Sequence, residues 1–205
     1  MINRLLFSGA SLFLLLTTFG SKAFAIDMSL SSPSTNLGSK VDVELDISGL
    51  GNGTAPSVGA YDVNVTFDPN VVSFDSVAFG NQLDFSSFGF LQSFDDTNAA
   101  TGTLNLAEVS LESEPDLNSL QAEDFSLATI TFDTVNVGSS NVAVSLNGAT
   151  GLGDAAGDPL TVDNFNSGSV TVNSAVPVPF GVSTNMAIVI LSGVCGVNYL
   201  RKKLA

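Results

Sequence analysis

Strict alternation of polar and apolar residues from Lys40 to Ser48 restricts the possible folds more than any other feature of this chain. Four aliphatic residues occupy every second position, and mostly charged residues fill the positions between them. Successive side chains of a β-strand point to opposite sides, so a period of two predicts a strand with one buried face and one face in water. Such strands are typical of antiparallel sheets that pack face to face.

The same kind of pattern recurs through the middle of the chain. Residues 61–67 alternate in the same way, and Gly, Asn, Pro and Asp clusters separate the apolar runs. Further strands are predicted at 26–30, 71–77, 103–111, 125–135, 141–146 and 169–172. Long helical periodicity is absent. We therefore predict an all-β domain in which two antiparallel sheets form a sandwich.

One segment of this predicted domain has the pattern of a known family. Residues 59–74, GAYDVNVTFDPNVVSF, resemble a cohesin core, in which a strand ending in aromatic-Asp-Pro precedes an aliphatic strand. Residues 125–132, followed by Gly138, are similar to the later cohesin strand whose aromatic residue precedes a glycine turn. The resemblance spans most of residues 26–173. It implies a nine-stranded jelly-roll β-sandwich related to the carbohydrate-binding-domain superfamily.

The chemistry of the aromatic-Asp-Pro motif supports a turn at this point. Pro69 has no amide donor and ends the strand ladder, and the Asp68 carboxylate can cap the turn. Phe67 and Phe74 lie on either side of the turn, and we predict that both pack into the core.

The resemblance also implies a position for a binding surface. In cellulosomal cohesins an outward sheet face binds dockerin modules, and Asp62 falls where an acidic contact residue occurs. Ala60 departs from that pattern, because those cohesins often carry a polar contact there. The alternative for Asp62 is a solvated outward residue of an alternating strand.

The first 25 residues have the organisation of a secretory signal peptide. Arg4 supplies the positive charge, residues 5–19 the apolar run, and Ala23 and Ala25 the small residues of a cleavage site. We predict cleavage after Ala25, because the apolar run is short for a membrane anchor.

Three elements follow the predicted domain. They are Val176-Pro177-Val178-Pro179, an uncharged apolar run over residues 180–200, and the basic triplet Arg201-Lys202-Lys203. A helix of about 20 residues matches the roughly 30 Å hydrocarbon core of a bilayer, so residues 180–200 are predicted to form one transmembrane helix. The basic triplet should remain cytoplasmic, which places the preceding domain outside.

This tail resembles the PEP-CTERM sorting signal of bacteria with exopolysaccharide. The resemblance implies recognition and processing by a membrane-embedded exosortase. Val178 departs from the family, whose motif carries glutamate between the prolines. A permanent single-span anchor is the alternative. The predicted organisation is a signal peptide at 1–25, a cohesin-like domain at 26–174 and a sorting signal at 175–205.

Charge excludes several classes of partner. The exported domain holds Lys40 as its one basic residue against all twenty acidic residues of the chain, a formal charge of −19. Nucleic acid and anionic lipid surfaces are therefore excluded. The same charge is compatible with divalent cations and cationic surfaces as partners. The alternative is that these carboxylates keep an exported domain soluble.

Catalysis has little support in the sequence. Histidine is absent, and Cys195, the one cysteine, lies in the apolar tail, so we predict no catalytic residues of those types. Paired carboxylates could hydrolyse glycosides. A glycoside-active enzyme is therefore kept as a third hypothesis, after a protein-binding module and a carbohydrate-binding module.

Sugar and metal sites are weaker candidates than a protein-binding surface. The predicted domain has no Trp, and Tyr61 is its one Tyr, whereas sugar sites favour exposed aromatic platforms. Four phenylalanines interrupt a loop predicted over 79–94, which forms either a binding lip or an inward-packed flap. Asp95-Asp96 and the loop with Asp154, Asp158 and Asp163 offer carboxylates for a structural calcium, although neither has EF-hand spacing.

We therefore predict an exported, non-catalytic binding or structural protein, held at least transiently in the inner membrane and then at the cell surface or in the extracellular matrix. Its partner is predicted to be another protein, with exopolysaccharide as the alternative. No cofactor and no metal-binding residues are predicted.

Overall fold

The computed structural model describes residues 25–85 and 90–175, with only the backbone described at Phe90. Two sheets pack face to face around one core, which confirms the predicted all-β jelly-roll sandwich. The strands are β1 Ile26–Leu30, β2 Ser34–Asn36, β3 Lys40–Ser48, β4 Val58–Thr66, β5 Val72–Phe79, β6 Phe90–Asp95, β7 Thr103–Ser110, β8 Phe125–Thr134, β9 Gly138–Leu146, β10 Leu152–Asp154, β11 Val162–Asn166 and β12 Gly168–Asn173. A 3-10 turn at Ala99–Thr101 and a helix, α1, at Glu114–Leu120 complete the described elements.

The five-stranded sheet has the order β11-β1-β3-β8-β5, and the second sheet has the order β2-β12-β9-β4-β7-β6 with β10 also paired to β4. Most pairs are antiparallel, as predicted. Two pairs at the sheet margins, β1 with β11 and β2 with β12, are parallel. The predicted antiparallel arrangement therefore holds for the other pairs and not for these two. Residues distant along the chain form these pairs, so no hairpin pattern in the sequence predicts them.

The core lies between the sheets and is filled by the apolar positions of the alternating strands. The four aliphatic residues of β3 are buried, and Tyr61, Val63 and Val65 of β4 are buried opposite them. Tyr61 donates its hydroxyl proton to the carbonyl oxygen of Leu127 at 3.2 Å, so its polar end is satisfied inside the core. The period-two prediction is thus confirmed for both strands.

The turn after β4 has the predicted geometry. Asp68 Oδ1 accepts a hydrogen bond from the Asn70 amide nitrogen at 2.9 Å, so the carboxylate caps the turn. Phe67 is buried and packs edge-on against Phe132, with the ring centroids 4.9 Å apart. Phe74 is partly buried against the core. Both aromatic residues therefore pack as the sequence predicted.

The stretch predicted as a phenylalanine-rich loop is partly a strand. Its last five residues, 90–94, lie in β6, which pairs antiparallel with β7 at the edge of the sheet. The Phe94 ring contacts Phe74, with centroids 5.9 Å apart, and so links the edges of the two sheets. Phe88 and the side chain of Phe90 lie outside the described residues.

Helix α1 connects β7 to β8 and is too short to give a long helical pattern. Ser113 caps its first turn, and Leu117 is buried beneath it. Within residues 25–85 and 90–175, no helix has the length and apolar character needed to cross a bilayer. The transmembrane helix predicted at 180–200 lies outside the described residues.

Candidate partner-binding face

The outward side of β6, β7, β4 and β9 forms a surface of mostly small side chains, which we call the β4–β7 face. Strand register places its residues in rows that run across the strands. In order along β4, the rows are Leu91, Val109 and Ala60; Ser93, Ala107 and Asp62; Asp95, Asn105, Asn64 and Ser145; and Thr103, Thr66 and Ala143. This face holds two carboxylates and no aromatic ring.

Asp62, the predicted partner contact, lies near the centre of this face and is half-buried. Its Oδ1 atom accepts a hydrogen bond from Asn105 Nδ2 at 2.7 Å, and its Oδ2 atom accepts one from Asn147 Nδ2 at 3.1 Å. Two amide groups therefore fix both carboxylate oxygens. The geometry supplies an oriented negative charge with lone pairs still directed to solvent, which suits a hydrogen-bond donor on a partner.

Asn64 joins the same network, which the sequence analysis did not identify. Its Oδ1 atom accepts from Asn105 Nδ2 at 3.3 Å, and its Nδ2 atom donates to Asn147 Oδ1 at 3.4 Å. Asn64 and Asn105 are directly opposite each other in the β4–β7 ladder. Knowledge of that register would have revealed the pair, but alternation alone gives no register between strands.

An apolar row borders the network at the end of the face nearest α1. Leu91 and Val109 are directly opposed and are 63% and 42% exposed, and Ala60 is the next residue in the row. Ala60 is the position at which the sequence departs from the polar cohesin pattern. Exposed aliphatic side chains beside a fixed polar group are typical of protein-binding surfaces.

A shallow pocket opens beside this apolar row. Ala60, Val109 and Leu117 contribute to its lining, together with residues 154–157, and its volume is about 250 Å³. Small-molecule sites usually occupy about 300–1,000 Å³. The pocket is therefore better suited to a single side chain of a docked partner than to an independent ligand.

The outer face of the five-stranded sheet differs sharply in charge. Asp27, Asp42, Glu44, Asp46, Asp75 and Asp133 lie there with Lys40, whose Nζ atom is 2.6 Å from Asp75 Oδ1. The pKa of Asp46 is raised mainly by its partial burial, and the Glu44 carboxylate adds to the rise. Six carboxylates and one ammonium group thus lie on this side of the sandwich, whereas the β4–β7 face has two carboxylates.

A buried carboxyl lies on the inward side of β7, beneath the face. Glu108 is 1% exposed, and its Oε1 atom accepts from Gln92 Nε2 at 2.7 Å, whereas Oε2 has no hydrogen-bond partner among the described residues. Burial raises the pKa of Glu108, and the nearby Asp84 carboxylate adds to the rise. The pKa of the Tyr61 hydroxyl is raised mainly by burial, and the Glu108 carboxyl adds to the rise. These groups support the face from below and do not reach a partner.

The loops predicted as calcium candidates use their carboxylates locally. Asp154 Oδ1 accepts from the amide nitrogens of Ala156 and Asp158, and Asp95 accepts from the Thr97 amide nitrogen at 2.9 Å. Among the described residues, no group of three or more metal-ligating side chains is placed to share an ion.

The predicted processing residues fall at or beyond the ends of the described chain. Ala25 is exposed immediately before β1. Ala23, the motif Val176-Pro177-Val178-Pro179 and the triplet Arg201-Lys202-Lys203 lie outside the described residues.

Comparison with solved structures finds many chains of the same fold. One is the sixth cohesin of scaffoldin B from Acetivibrio cellulolyticus, solved with a dockerin, at 19% identity, TM-score 0.57 and coverage of 73% of this chain and 99% of that chain. A cohesin module of a Clostridium perfringens family 33 glycoside hydrolase has 13% identity, TM-score 0.56 and coverage of 75% and 100%. A non-cellulosomal cohesin from the archaeon Archaeoglobus fulgidus has 16% identity, TM-score 0.54 and coverage of 73% and 92%.

Sequence comparison identifies the family. No relative was found among curated proteins. The family profile of the cohesin domain, however, matches residues 26–172, which is most of the chain and includes every strand of the β4–β7 face. The chain therefore belongs to the cohesin-domain family.

Proposed function

We propose that this protein is a non-catalytic binding module that holds a dockerin-like protein partner on its β4–β7 face. The observation that carries the proposal is the character of that face: it has mostly small side chains, no aromatic rings and few charges, and its centre is a carboxylate fixed by two asparagines. Cohesin domains are non-catalytic protein-binding modules, which supports the absence of an enzymatic role.

Solved relatives support a protein partner. The Acetivibrio cellulolyticus cohesin was solved in complex with a dockerin, and a cohesin from Clostridium thermocellum also forms a cohesin–dockerin complex. Each has under 20% identity to this chain, so the likeness itself concerns the fold. The fixed Asp62 carboxylate and the apolar row at Leu91 and Val109 supply the local chemistry for a partner with hydrogen-bond donors and an aliphatic contact.

The size of the face is consistent with a whole-module partner. Four strands spaced about 4.8 Å apart and about nine residues long span roughly 500 Å² in projection, before the relief of the side chains is counted. A specific complex buries about 800 Å² on each partner. Binding must therefore use the complete face and its rim, including the pocket beside Ala60.

The experiment compares two charge reversals. The chain is immobilised and exposed to envelope proteins and, separately, to purified exopolysaccharide from its own cells. Asp62→Lys replaces the fixed carboxylate of the β4–β7 face. Asp42→Lys is the matched control, because Asp42 is also an outward strand residue and accepts a hydroxyl hydrogen bond, from Thr131 at 2.7 Å.

The proposal expects a defined protein to be retained by the wild type and by Asp42→Lys but lost from Asp62→Lys. Retention of polysaccharide without any protein would contradict it and would favour the carbohydrate-binding alternative.

We also propose that the module is exported and sorted by its terminal segments. Residues 1–25 direct export with cleavage after Ala25. The motif at 176–179, the apolar run at 180–200 and the basic triplet then hold the protein in the inner membrane until an exosortase-like enzyme releases it to the surface or matrix. The order of these three elements supports the proposal. The mass of the mature protein tests it, since retention of residues 201–203 would contradict processing.

A further inference from the structure

The chain contains two Asn-Gly dipeptides, Asn52-Gly53 and Asn147-Gly148. All four residues are exposed, and both glycines have positive φ, 68° at Gly53 and 88° at Gly148. A Cβ atom at Gly148 would meet no heavy atom within 4 Å. Glycine places no side chain beside its own amide nitrogen, so that nitrogen can approach the preceding asparagine side chain with little obstruction. Asparagine in this setting is thermolabile.

Only one of these asparagines is joined to the β4–β7 face. The Asn147 amide nitrogen donates to the Asp62 carbonyl oxygen at 2.9 Å, and Asn147 Nδ2 donates to Asp62 Oδ2 at 3.1 Å. The Asp62 amide nitrogen donates to the Gly151 carbonyl oxygen at 2.7 Å. The turn over residues 147–151 therefore fixes both the backbone and the side chain of Asp62. Among the described residues, no hydrogen bond joins Asn52 to Asp62.

We propose that Asn147 is a deamidation site and that its conversion to a carboxylate releases Asp62 from its fixed position in the β4–β7 face. The Gly148 amide nitrogen loses its proton to hydroxide and attacks Asn147 Cγ. The Gly148 N–Cγ bond forms, the Cγ–Nδ2 bond breaks, and Nδ2 leaves as ammonia after taking a proton from water. A second water then opens the cyclic imide at either carbonyl, giving aspartate or isoaspartate with no change of oxidation state.

Both products remove the bond from Asn147 Nδ2 to Asp62 Oδ2, so that Asn105 alone still holds the carboxylate, through Oδ1. Aspartate replaces the donor Nδ2 by an oxygen, so two carboxylates face each other where a hydrogen bond of 3.1 Å had been. Like charges at that separation repel, and neither can donate. Isoaspartate also lengthens the backbone of the 147–151 turn. The added length lies between the Asn147 amide nitrogen, which donates to the Asp62 carbonyl oxygen, and the Gly151 carbonyl oxygen, which accepts from the Asp62 amide nitrogen.

Asn64 is affected by the same conversion in a different way. Its Nδ2 atom donates to Asn147 Oδ1 at 3.4 Å, and a carboxylate at position 147 can still accept that bond. The loss is therefore specific to Asp62, whose backbone amide lies in β4. Hydrogen exchange of that amide reports the change without knowledge of the partner.

The experiment incubates the full chain at mildly alkaline pH and samples it over time. Peptide mapping measures the exchange of a side-chain amide for a carboxyl at Asn52 and at Asn147, and hydrogen exchange measures protection in the peptide that contains β4. Two variants bracket the effect. Asn147→Asp has the converted side chain from the start, and Asn147→Gln keeps an amide that closes a ring far less readily.

The proposal expects both asparagines to be converted. Protection of β4 from hydrogen exchange should fall at the rate at which Asn147 is converted, and not at the rate for Asn52. Asn147→Asp should show weaker protection already at time zero, because two carboxylates then face each other beside the turn that holds the Asp62 amide, and Asn147→Gln should show no time-dependent loss. Two results would overturn the proposal: an intact amide at Asn147 after Asn52 has converted, or full conversion at Asn147 with unchanged protection of β4.

Discussion

Gln121 forms two hydrogen bonds with the backbone of Val58, accepting from its amide nitrogen at 2.5 Å and donating to its carbonyl oxygen at 3.0 Å. The side chain thus pairs with the first residue of β4 as a neighbouring strand would. A third bond, to the Gln82 carbonyl oxygen at 3.1 Å, ties the same amide to the segment after β5. Gln121 follows α1 directly, so it anchors the helix beside the β4–β7 face.

Replacement of Gln121 by leucine should lower the free energy of unfolding by about 2–4 kcal/mol, because an unpaired buried amide or carbonyl group costs about 1–3 kcal/mol. Val58 is fully buried, so water cannot replace the lost partners. Urea denaturation measures the change. Leu120→Ala is the neighbouring control: Leu120 is 58% exposed, and a shift within about 0.5 kcal/mol is expected. Equal effects of the two substitutions would show that the bonds to Val58 are not stabilising.

The buried Glu108 should make the fold less stable as pH rises. Its pKa is raised in the folded state, so the folded protein binds more protons than the unfolded chain once pH exceeds the ordinary glutamate value of 4.5. The free energy of unfolding therefore falls with pH from that value up through the raised pKa, and levels off above it. Asp46, whose pKa is also raised, contributes to the same fall.

Glu108→Gln removes the ionisation and keeps a similar shape, so thermal unfolding followed across this pH range should show a shallower decline. At neutral pH the variant should be more stable than the wild type, because the wild type must ionise a carboxyl in a desolvated site and the amide need not. Glu123→Gln, at an exposed position, serves as the control. A wild type whose decline matches that of Glu108→Gln would show that Glu108 is not the source.

Removal of divalent cations should leave the melting temperature unchanged. Asp154 and Asp95, the best-placed carboxylates of the two acidic loops, already accept hydrogen bonds from amides of their own turns. Melting with and without chelator measures the effect. A fall in melting temperature that calcium reverses would demonstrate a structural ion.

Alternation predicted the strands that build the core because each of those strands has one face in the core and one face in water. β1 and β3 match their predicted bounds, and the predicted turn at Asp68 is present. β2 and β10 have three residues each, too few to show a period, and β11 is mostly exposed, so no apolar run marks it. The resemblance implied nine strands, and these short elements raise the number to twelve in residues 25–85 and 90–175.

The candidate site was predicted less completely than the fold. The family pattern placed Asp62, but its bond to Asn147 joins residues 85 positions apart and depends on register between β4 and β9. Glu108 shows the opposite case. Its parity with Leu104 and Leu106 in β7 already directs it inward, although charged residues in general are expected in water.

The central claim is that the β4–β7 face, and not the outer face of the five-stranded sheet, binds the partner. Ala107 lies at the centre of the β4–β7 face beside Asp62, and Ala78 is an outward residue of β5 on the opposite sheet, so alanine-to-arginine substitutions form a matched pair. Titration calorimetry of the retained partner protein measures affinity for each variant. We expect Ala107→Arg to weaken binding by at least about tenfold, or about 1.4 kcal/mol, and Ala78→Arg to bind as the wild type does. Unchanged affinity for Ala107→Arg, with a loss for Ala78→Arg, would contradict the claim.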